Sequence, residues 1–202
     1  MTPLQRRCAD ISYKLKLTHL SSVLDSVEPI AAIYQEKEEA EPFVLGNSHA
    51  SLALFTVLES IGKCDAVEMT IRHGTHARRD VAHGVWVSGG SLGQAETVAV
   101  GLAISNPKRK VWLLTSDGAC MEGAVYEAFR IAGKYAPNLM VTIVANGRGA
   151  YGNITDVDLS GLRSQVGCRI VRGCNDYPPW LTGHAGHYLT LTEAQHRELV
   201  NL

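Results

Sequence analysis

The stretch from Lys110 to Asn146 constrains the fold more than any other part of the chain. An apolar run, Val111 to Leu114, gives way to the polar break Thr115-Ser116-Asp117-Gly118, then to a helical pattern, then to a second apolar run, Leu139 to Ala145, closed by Asn146. Short apolar runs bounded by turn residues suit strands covered on both faces, as in a parallel sheet. Between them Val125, Ala128, Phe129 and Ala132 recur at i, i+3, i+4 and i+7, the one-face signature of a helix, which Ala136-Pro137-Asn138 ends. The stretch reads as a βαβ unit, and it predicts an α/β chain: a doubly wound, mostly parallel sheet with helices on both faces. Asp117 and Asn146 then fall just past the ends of neighbouring strands, where open α/β sheets place their ligands. An acid and an amide there can share one hard cation, because Mg2+ takes oxygen ligands, few of them from protein, and completes its octahedron with phosphate oxygens. The ligand expected on this ground is a Mg2+-bridged diphosphate.

The same residues carry a family resemblance. Asp117-Gly118, 27 further residues (119 to 145) and then Asn146 resemble the thiamine-diphosphate motif, usually Gly-Asp-Gly, a spacer of that order, then Asn. The surrounding Asp-Gly-Ala-Cys-Met-Glu-Gly is similar to the transketolases in particular. Leu45-Gly46-Asn47-Ser48-His49-Ala50-Ser51 resembles their "LSxGHAS" block, and Val87-Ser88-Gly89-Gly90-Ser91-Leu92-Gly93-Gln94 their "STGSLGQG" block. Lys16 to Tyr34 aligns without gaps with the "KSGHPGGSLSAVDILAALY" type of N-terminal segment, which puts His19 on the family histidine. These four blocks, in the family order, cover roughly residues 5 to 176.

Composition sets outer bounds. A chain of 202 residues, 46% of them hydrophobic, is long enough for one domain with a real core. A net charge of −1 with scattered Lys and Arg gives no nucleic-acid or membrane footprint, which leaves protein and small-molecule partners. Met1 to Leu20 mixes Arg, Asp and Lys into its pattern and no apolar run reaches membrane-spanning length, so the expectation is a soluble, cytoplasmic chain. Five cysteines without C-x-x-C spacing suggest free thiols rather than a disulfide framework or a zinc site, with Cys120 placed in the candidate cofactor loop.

In chain order, Leu4, Cys8, Ile11 and Leu15 mark one helical stripe, and Val27, Ile30, Ala31 and Tyr34 a second, begun by Asp25-Ser26. His19 falls between them. By itself it reads as a loop histidine bonded to backbone; the resemblance makes it a substrate contact. The family's "GHPGG" is Thr18-His19-Leu20-Ser21-Ser22 here, so the glycines that let backbone approach a ligand are replaced. Gln35 to Glu41 reads as a solvated turn, Phe43 to Leu45 as a short strand, and Leu54, Val57, Leu58 and Ile61 as a helix. His49 therefore sits at a helix start, where free N–H groups favour anions. Gly62 to His73 reads as a further short helix.

The loop His73-Gly74-Thr75-His76-Ala77-Arg78-Arg79-Asp80 follows. Counting back from the Gly-Ser-Leu-Gly block puts His76 on the histidine of a family "GHP" segment, a second substrate contact, whereas His73 and His83 are expected at the surface. Their spacings of 3 and 7 lack a helix that would gather these histidines round a metal. Gly89-Gly90-Ser91-Leu92-Gly93 lies between apolar Val85-Trp86-Val87, which reads as a strand, and a helix with the narrow small-residue face Ala95, Val98, Ala99 and Leu102. Such a turn can cradle phosphate, and a nicotinamide-dinucleotide module is the third reading of the chain. G-x-G-x-x-G would need glycine where Ser91 stands, and no acid ends the next strand in the ribose role. By resemblance the block touches diphosphate and thiazolium through Gly90 and Leu92.

Glu122 and Glu127 are expected on the helix after Asp117. As bare residues they read as solvated; by resemblance they join a carboxylate network reaching a partner domain, and Glu122 counts among the cofactor-binding residues with His49, Asp117, Gly118 and Asn146. Ser116 stands where the motif has its first glycine. Ala150-Tyr151-Gly152 matches the family "IDG", and Arg148 occupies the position whose backbone carbonyl is the third protein ligand of the metal. Leu159 to Val166 reads as a helix, Arg169 to Val171 as a strand, and Glu193 to Leu202 as a closing helix. The part after about residue 180 looks abbreviated, with Gly183-His184-Ala185-Gly186-His187-Tyr188 following Trp180 closely, and His187 stands in for the diphosphate-contacting histidine.

The resemblance thus implies one diphosphate-binding, transketolase N-terminal-like domain over 1–202 that takes thiamine diphosphate and Mg2+, a sugar-type substrate and a C-terminal transketolase-like subunit with the pyrimidine domain. It implies an α2β2 or self-associating assembly that transfers a two-carbon ketol unit, with an apolar partner-facing surface around Glu122, Glu127 and the helix after Gly93. The alternative is a degenerate, non-catalytic homologue with an assembly or regulatory role, suggested by Ser116, by the altered "GHPGG" and by the abbreviated end.

Overall fold

Four strands lie side by side in chain order, every neighbouring pair parallel: β1 Phe43–Leu45, β2 Val111–Ser116, β3 Leu139–Ala145 and β4 Cys168–Arg172. The computed structural model of the chain describes residues 1–149, 152–173 and 177–202, with the backbone alone at 156 and 157. Ala150 and Tyr151 of the "IDG" match, and Cys174, therefore lie outside the described residues. Helices α1 Pro3–Leu15 and α2 Leu20–Glu36 precede the sheet. Between β1 and β2 come α3 Ser51–Ser60, α4 Ala66–His73 and α5 Gln94–Ser105; between β2 and β3, α6 Asp117–Cys120 and α7 Gly123–Tyr135. Helix α8 Asp156–Arg163 links β3 to β4, and α9 Gly183–His187 and α10 Glu193–Val200 follow.

The pleat sends alternate strand residues to opposite faces, and each face has its own core. Phe43, Leu45, Trp112, Leu114 and Val144 pack with residues of α1 to α4 and α10; Val44, Val111, Leu113, Val141, Ile143 and Ala145 pack with α5, α7 and α8. Helices on both faces of a parallel sheet are the doubly wound α/β arrangement expected from the βαβ stretch. Val125, Ala128, Phe129 and Ala132 are the buried stripe of α7, as their spacing requires. No helix among the described residues is long and apolar enough to cross a membrane.

Several local expectations are corrected. Helix α2 starts at Leu20, five residues before Asp25-Ser26, because Ser21, Ser22, Asp25 and Ser26 are interior residues of the helix, all buried; Ser26 Oγ accepts the Asn47 Nδ2–H at 3.0 Å. Helix α4 starts at Ala66 rather than Gly62, since Asp65 caps it by accepting the Glu68 N–H at 2.8 Å. Val85-Trp86-Val87 is not a strand; Val85 makes only an isolated bridge to Asp80. Helix α8 ends at Arg163, short of Val166. Glu122 is not within α7 but at its N-cap. His73 is buried rather than at the surface, its ring 5.6 Å from that of Phe55 and its Nδ1 accepting the Arg78 N–H at 3.3 Å. On α5 the buried residues are Ala95, Glu96, Ala99, Val100 and Ala103, while Val98 faces out. Cys8, Cys64, Cys120 and Cys168 are free thiols; Cys120 is fully buried in the α5/α7 core, and burial pushes its thiol well above the usual range.

Candidate functional site

One open cleft of about 510 Å3 gathers the residues that follow three neighbouring strands. His49 comes after β1, Ser116, Asp117 and Gly118 after β2, and Asn146, Arg148 and Gly149 after β3; all line it. So do Gly90 and Leu92 of the glycine-rich loop, His19 from the start of α2, His76, and His184, His187 and Tyr188 at α9. A cleft of this size at the carboxyl ends of parallel strands is the place where α/β proteins bind small ligands.

At the β2 end, Ser116 caps α6 by accepting the Ala119 N–H at 3.2 Å, so the serine that replaces the motif glycine has a structural task of its own. Asp117 is 1% exposed, and both its oxygens accept backbone N–H groups, Oδ1 from Gly118 at 2.9 Å and Oδ2 from Gly147 at 2.7 Å. Burial raises its pKa above the ordinary carboxylate value, against the pull of those N–H groups. Asn146 Oδ1 accepts the Arg148 N–H at 3.1 Å, and the Arg148 carbonyl oxygen lies close to Gly118, 3.5 Å from where a Cβ would stand. A buried carboxylate, an amide oxygen and a backbone carbonyl thus come together, an all-oxygen set of the kind Mg2+ accepts. Among the described residues no three His, Cys, Asp or Glu side chains converge as a metal-holding group. A cation at this point would therefore have Asp117 as its carboxylate and depend on phosphate oxygens to complete its shell.

Four histidines that are far apart in sequence meet in the same cleft. The His19 ring centroid is 4.3 Å from that of His187, 5.3 Å from His49 and 6.3 Å from His76, and His49 is 5.5 Å from His187. Local structure sets each one. His19 is the left-handed N-cap of α2, φ 66°, and its backbone N–H donates to the His187 carbonyl at 2.7 Å. His49 sits in the 3-10 turn Ser48–Ala50. Ser51 Oγ donates to the Ser48 carbonyl and accepts the Ala77 N–H at 3.1 Å, which ties the His76 segment to that turn. Gly89 closes the arrangement: its N–H donates to the Ala77 carbonyl at 3.0 Å, and a Cβ there would stand 2.0 Å from Ser48 Cβ.

Three of the rings, His19, His49 and His187, are held neutral. Burial, and then the neighbouring histidines, lower the His49 pKa to about 3 and the His19 pKa to about 4; burial lowers that of His187 as well. Near neutral pH these rings are therefore hydrogen-bonding groups with one N–H and one acceptor nitrogen, not cations. Neutral imidazoles suit recognition of hydroxyl and carbonyl groups through hydrogen bonds.

All of the candidate cofactor, metal and substrate residues except Glu122 line the cleft. Glu122 packs beneath the glycine-rich loop, its Cβ 3.0 Å from a Cβ position at Gly93, and Glu127 is exposed on α7. Ser21, Ser22, Asn153, His184 and Tyr188 are lining residues that the sequence did not single out. For the two serines a signal existed, since they replace the family's backbone-exposing glycines. For Asn153 and Tyr188 there was none.

The fold is a parallel α/β sheet flanked by helices, with an acid and an amide at adjoining strand ends lining one cleft. No family model matches the chain. It is 26% identical over 164 residues to an apulose-4-phosphate transketolase subunit of Phocaeicola vulgatus, covering 71% of this chain and 58% of that one. It is 29% identical over 143 residues to a transketolase of Rhodobacter capsulatus (58% and 21%), and 39% identical over 72 residues to an apulose-4-phosphate transketolase subunit of Actinobacillus succinogenes (34% and 26%). The matches thus span less than two thirds of each relative's own length. At modest identity, the chain is similar to transketolases and their subunits.

Proposed function

We propose that the chain is the diphosphate-binding, N-terminal-type subunit of a thiamine-diphosphate-dependent transketolase-like enzyme that transfers a two-carbon ketol unit, and that it works with a partner subunit carrying the pyrimidine-binding domain. The observation that carries this reading is the pairing, in one cleft, of the oxygen set of Asp117, Asn146 and Arg148 with the histidine cluster His19, His49, His76 and His187. The first fits a Mg2+-bridged diphosphate; the second fits a polyhydroxylated, sugar-type substrate. Two of the relatives are themselves named as transketolase subunits, which supports the partner chain.

Thiamine diphosphate, when bound, supplies a nucleophilic carbon that stores the transferred fragment as a stabilised carbanion. The work of this chain is to anchor and to orient. Asp117, Asn146 and the Arg148 carbonyl would hold the metal, while Gly90 and Leu92 would flank the diphosphate and thiazolium. His19 and His76 would hydrogen-bond substrate hydroxyls, and His49 and His187 would serve the cofactor side of the cluster. With pKa values held this low, His19 and His49 would act by hydrogen bonding and orientation rather than by storing a proton. Helices α5 and α7 expose Val98, Ile104, Ile131 and Tyr135, an apolar surface that supports a partner-facing role there. An α2β2 assembly or a self-associating dimer would cover it.

Co-expression with a pyrimidine-domain subunit should give a stable complex with Mg2+- and thiamine-diphosphate-dependent ketol transfer. A stable complex that neither binds the cofactor nor transfers a ketol unit would favour an assembly role instead.

A further inference from the structure

The Asn146 amide has two ends, and only its oxygen can ligate a cation. Two neighbours decide which way it faces. The Arg148 backbone N–H, a donor only, stands 3.1 Å from Oδ1; a carboxylate oxygen, Oδ2 of Asp25, stands 3.4 Å from Nδ2. The Arg148 N–H can only donate, so the amide oxygen turns towards it and the nitrogen towards the Asp25 carboxyl oxygen. Asp25 lies inside α2 and is 8% exposed.

The contact depends on a position without a side chain. Gly173, just past β4, donates its N–H to the Ala145 carbonyl at 2.8 Å. A Cβ on it would stand 2.8 Å from Asp25 Oδ2 and 2.8 Å from Asn146 Cβ. The residue after Asp25 makes a similar contact: Ser26 Oγ accepts the Asn47 Nδ2–H at 3.0 Å. Two consecutive side chains of α2 thus receive the amides of two asparagines that follow β1 and β3.

We propose that Asp25 is a positioning residue that locks the Asn146 amide with its oxygen towards the cation of a bound metal–diphosphate. The proposal rests on the reading of Asp117 and Asn146 as metal ligands. Without an acceptor behind Nδ2 the amide can turn over, present its NH2 group and remove one ligand. Groups that orient a ligand from behind typically account for about 10–100-fold in metal affinity.

The test is a titration of the chain, in complex with its pyrimidine-domain subunit, with Mn2+, a spectroscopic stand-in for Mg2+, in the presence of thiamine diphosphate, with bound metal read by electron paramagnetic resonance. Asp25→Ala should weaken Mn2+ uptake by about 10–100-fold, while Asp25→Asn, which keeps an acceptor oxygen, should recover most of it. In an Asn146→Asp background both ends of residue 146 are oxygens and orientation no longer matters. There Asp25→Ala should cost less than about threefold, a coupling that a double-mutant cycle isolates. Wild-type affinity in Asp25→Ala, an equal loss in both backgrounds, or a loss in Asp25→Asn as large as in Asp25→Ala would each overturn the proposal. If the unsubstituted chain shows no Mn2+ uptake promoted by thiamine diphosphate, the ligand reading itself fails and this inference falls with it; uptake that is indifferent to Asp25 sinks the inference alone.

Discussion

Asp117 Oδ2 accepts the backbone N–H of Gly147 at 2.7 Å, so the acid that ends β2 is fastened to the turn that ends β3. With Oδ1 on the Gly118 N–H, the carboxylate bridges two loops before any ligand arrives. Asp117→Asn turns one acceptor into a donor that faces an N–H group. A buried donor left unpaired costs about 1–3 kcal/mol, so urea unfolding without metal should show a loss of that order. An unchanged midpoint would mean that the two loops are held by something else.

His19 and His76 should act on substrate rather than cofactor. In the assembled enzyme, His19→Ala and His76→Ala should raise KM or lower kcat for the ketose while thiamine diphosphate affinity stays close to that of the unsubstituted chain. A fall in cofactor affinity as large as that of Asp117→Ala would assign these rings to the diphosphate end of the cleft.

The histidine cluster should make the fold acid-sensitive over a definite range. His49 and His19 have pKa values near 3 and 4 in the fold against an ordinary 6.5, so as pH falls the unfolded chain takes up protons that the native cluster refuses. Their contribution to stability is full above about pH 6.5, falls as pH drops below it, and reaches its minimum below the folded values. Melting temperature should decline between pH 6.5 and 4, and His49→Gln should flatten that decline. An equal slope in His49→Gln would show that other groups cause it.

Much of the fold can be read from residue patterns, and the parts that cannot share one cause. Strands β2 and β3 and the stripe of α7 follow from apolar spacing, and with them the positions of Asp117 and Asn146. The start of α2 and the burial of His73 do not, because Ser21, Ser22, Asp25, Ser26 and His73 are polar residues whose surroundings come from elsewhere in the chain. Asp25 beside Ser26 has the look of a helix-start signal, yet inside α2 the two side chains receive amides from Asn146 and Asn47, 121 and 21 residues away. The meeting of His19, His49, His76 and His187 is non-local in the same way; the family resemblance pointed to each ring separately, and only the fold shows them in contact.

Gly89→Ala probes that convergence directly. Its Cβ would stand 2.0 Å from Ser48 Cβ, so the loop must move off the turn that carries His49. Overpacking of this kind costs about 1–3 kcal/mol, and both stability and cofactor affinity should fall. A variant that melts and binds like the unsubstituted chain would show that the glycine-rich loop does not set the site.

The central claim is that Asp117 and Asn146 hold a metal-bridged thiamine diphosphate, and calorimetric titration of the cofactor with and without Mg2+ tests it most directly. The account predicts binding that requires Mg2+, is abolished by a chelator and falls by orders of magnitude in Asp117→Ala and Asn146→Ala, because a charged and a neutral oxygen ligand of a hard cation are removed. Binding of equal affinity in Asp117→Ala, or a melting temperature raised by NADH and not by thiamine diphosphate, would contradict it.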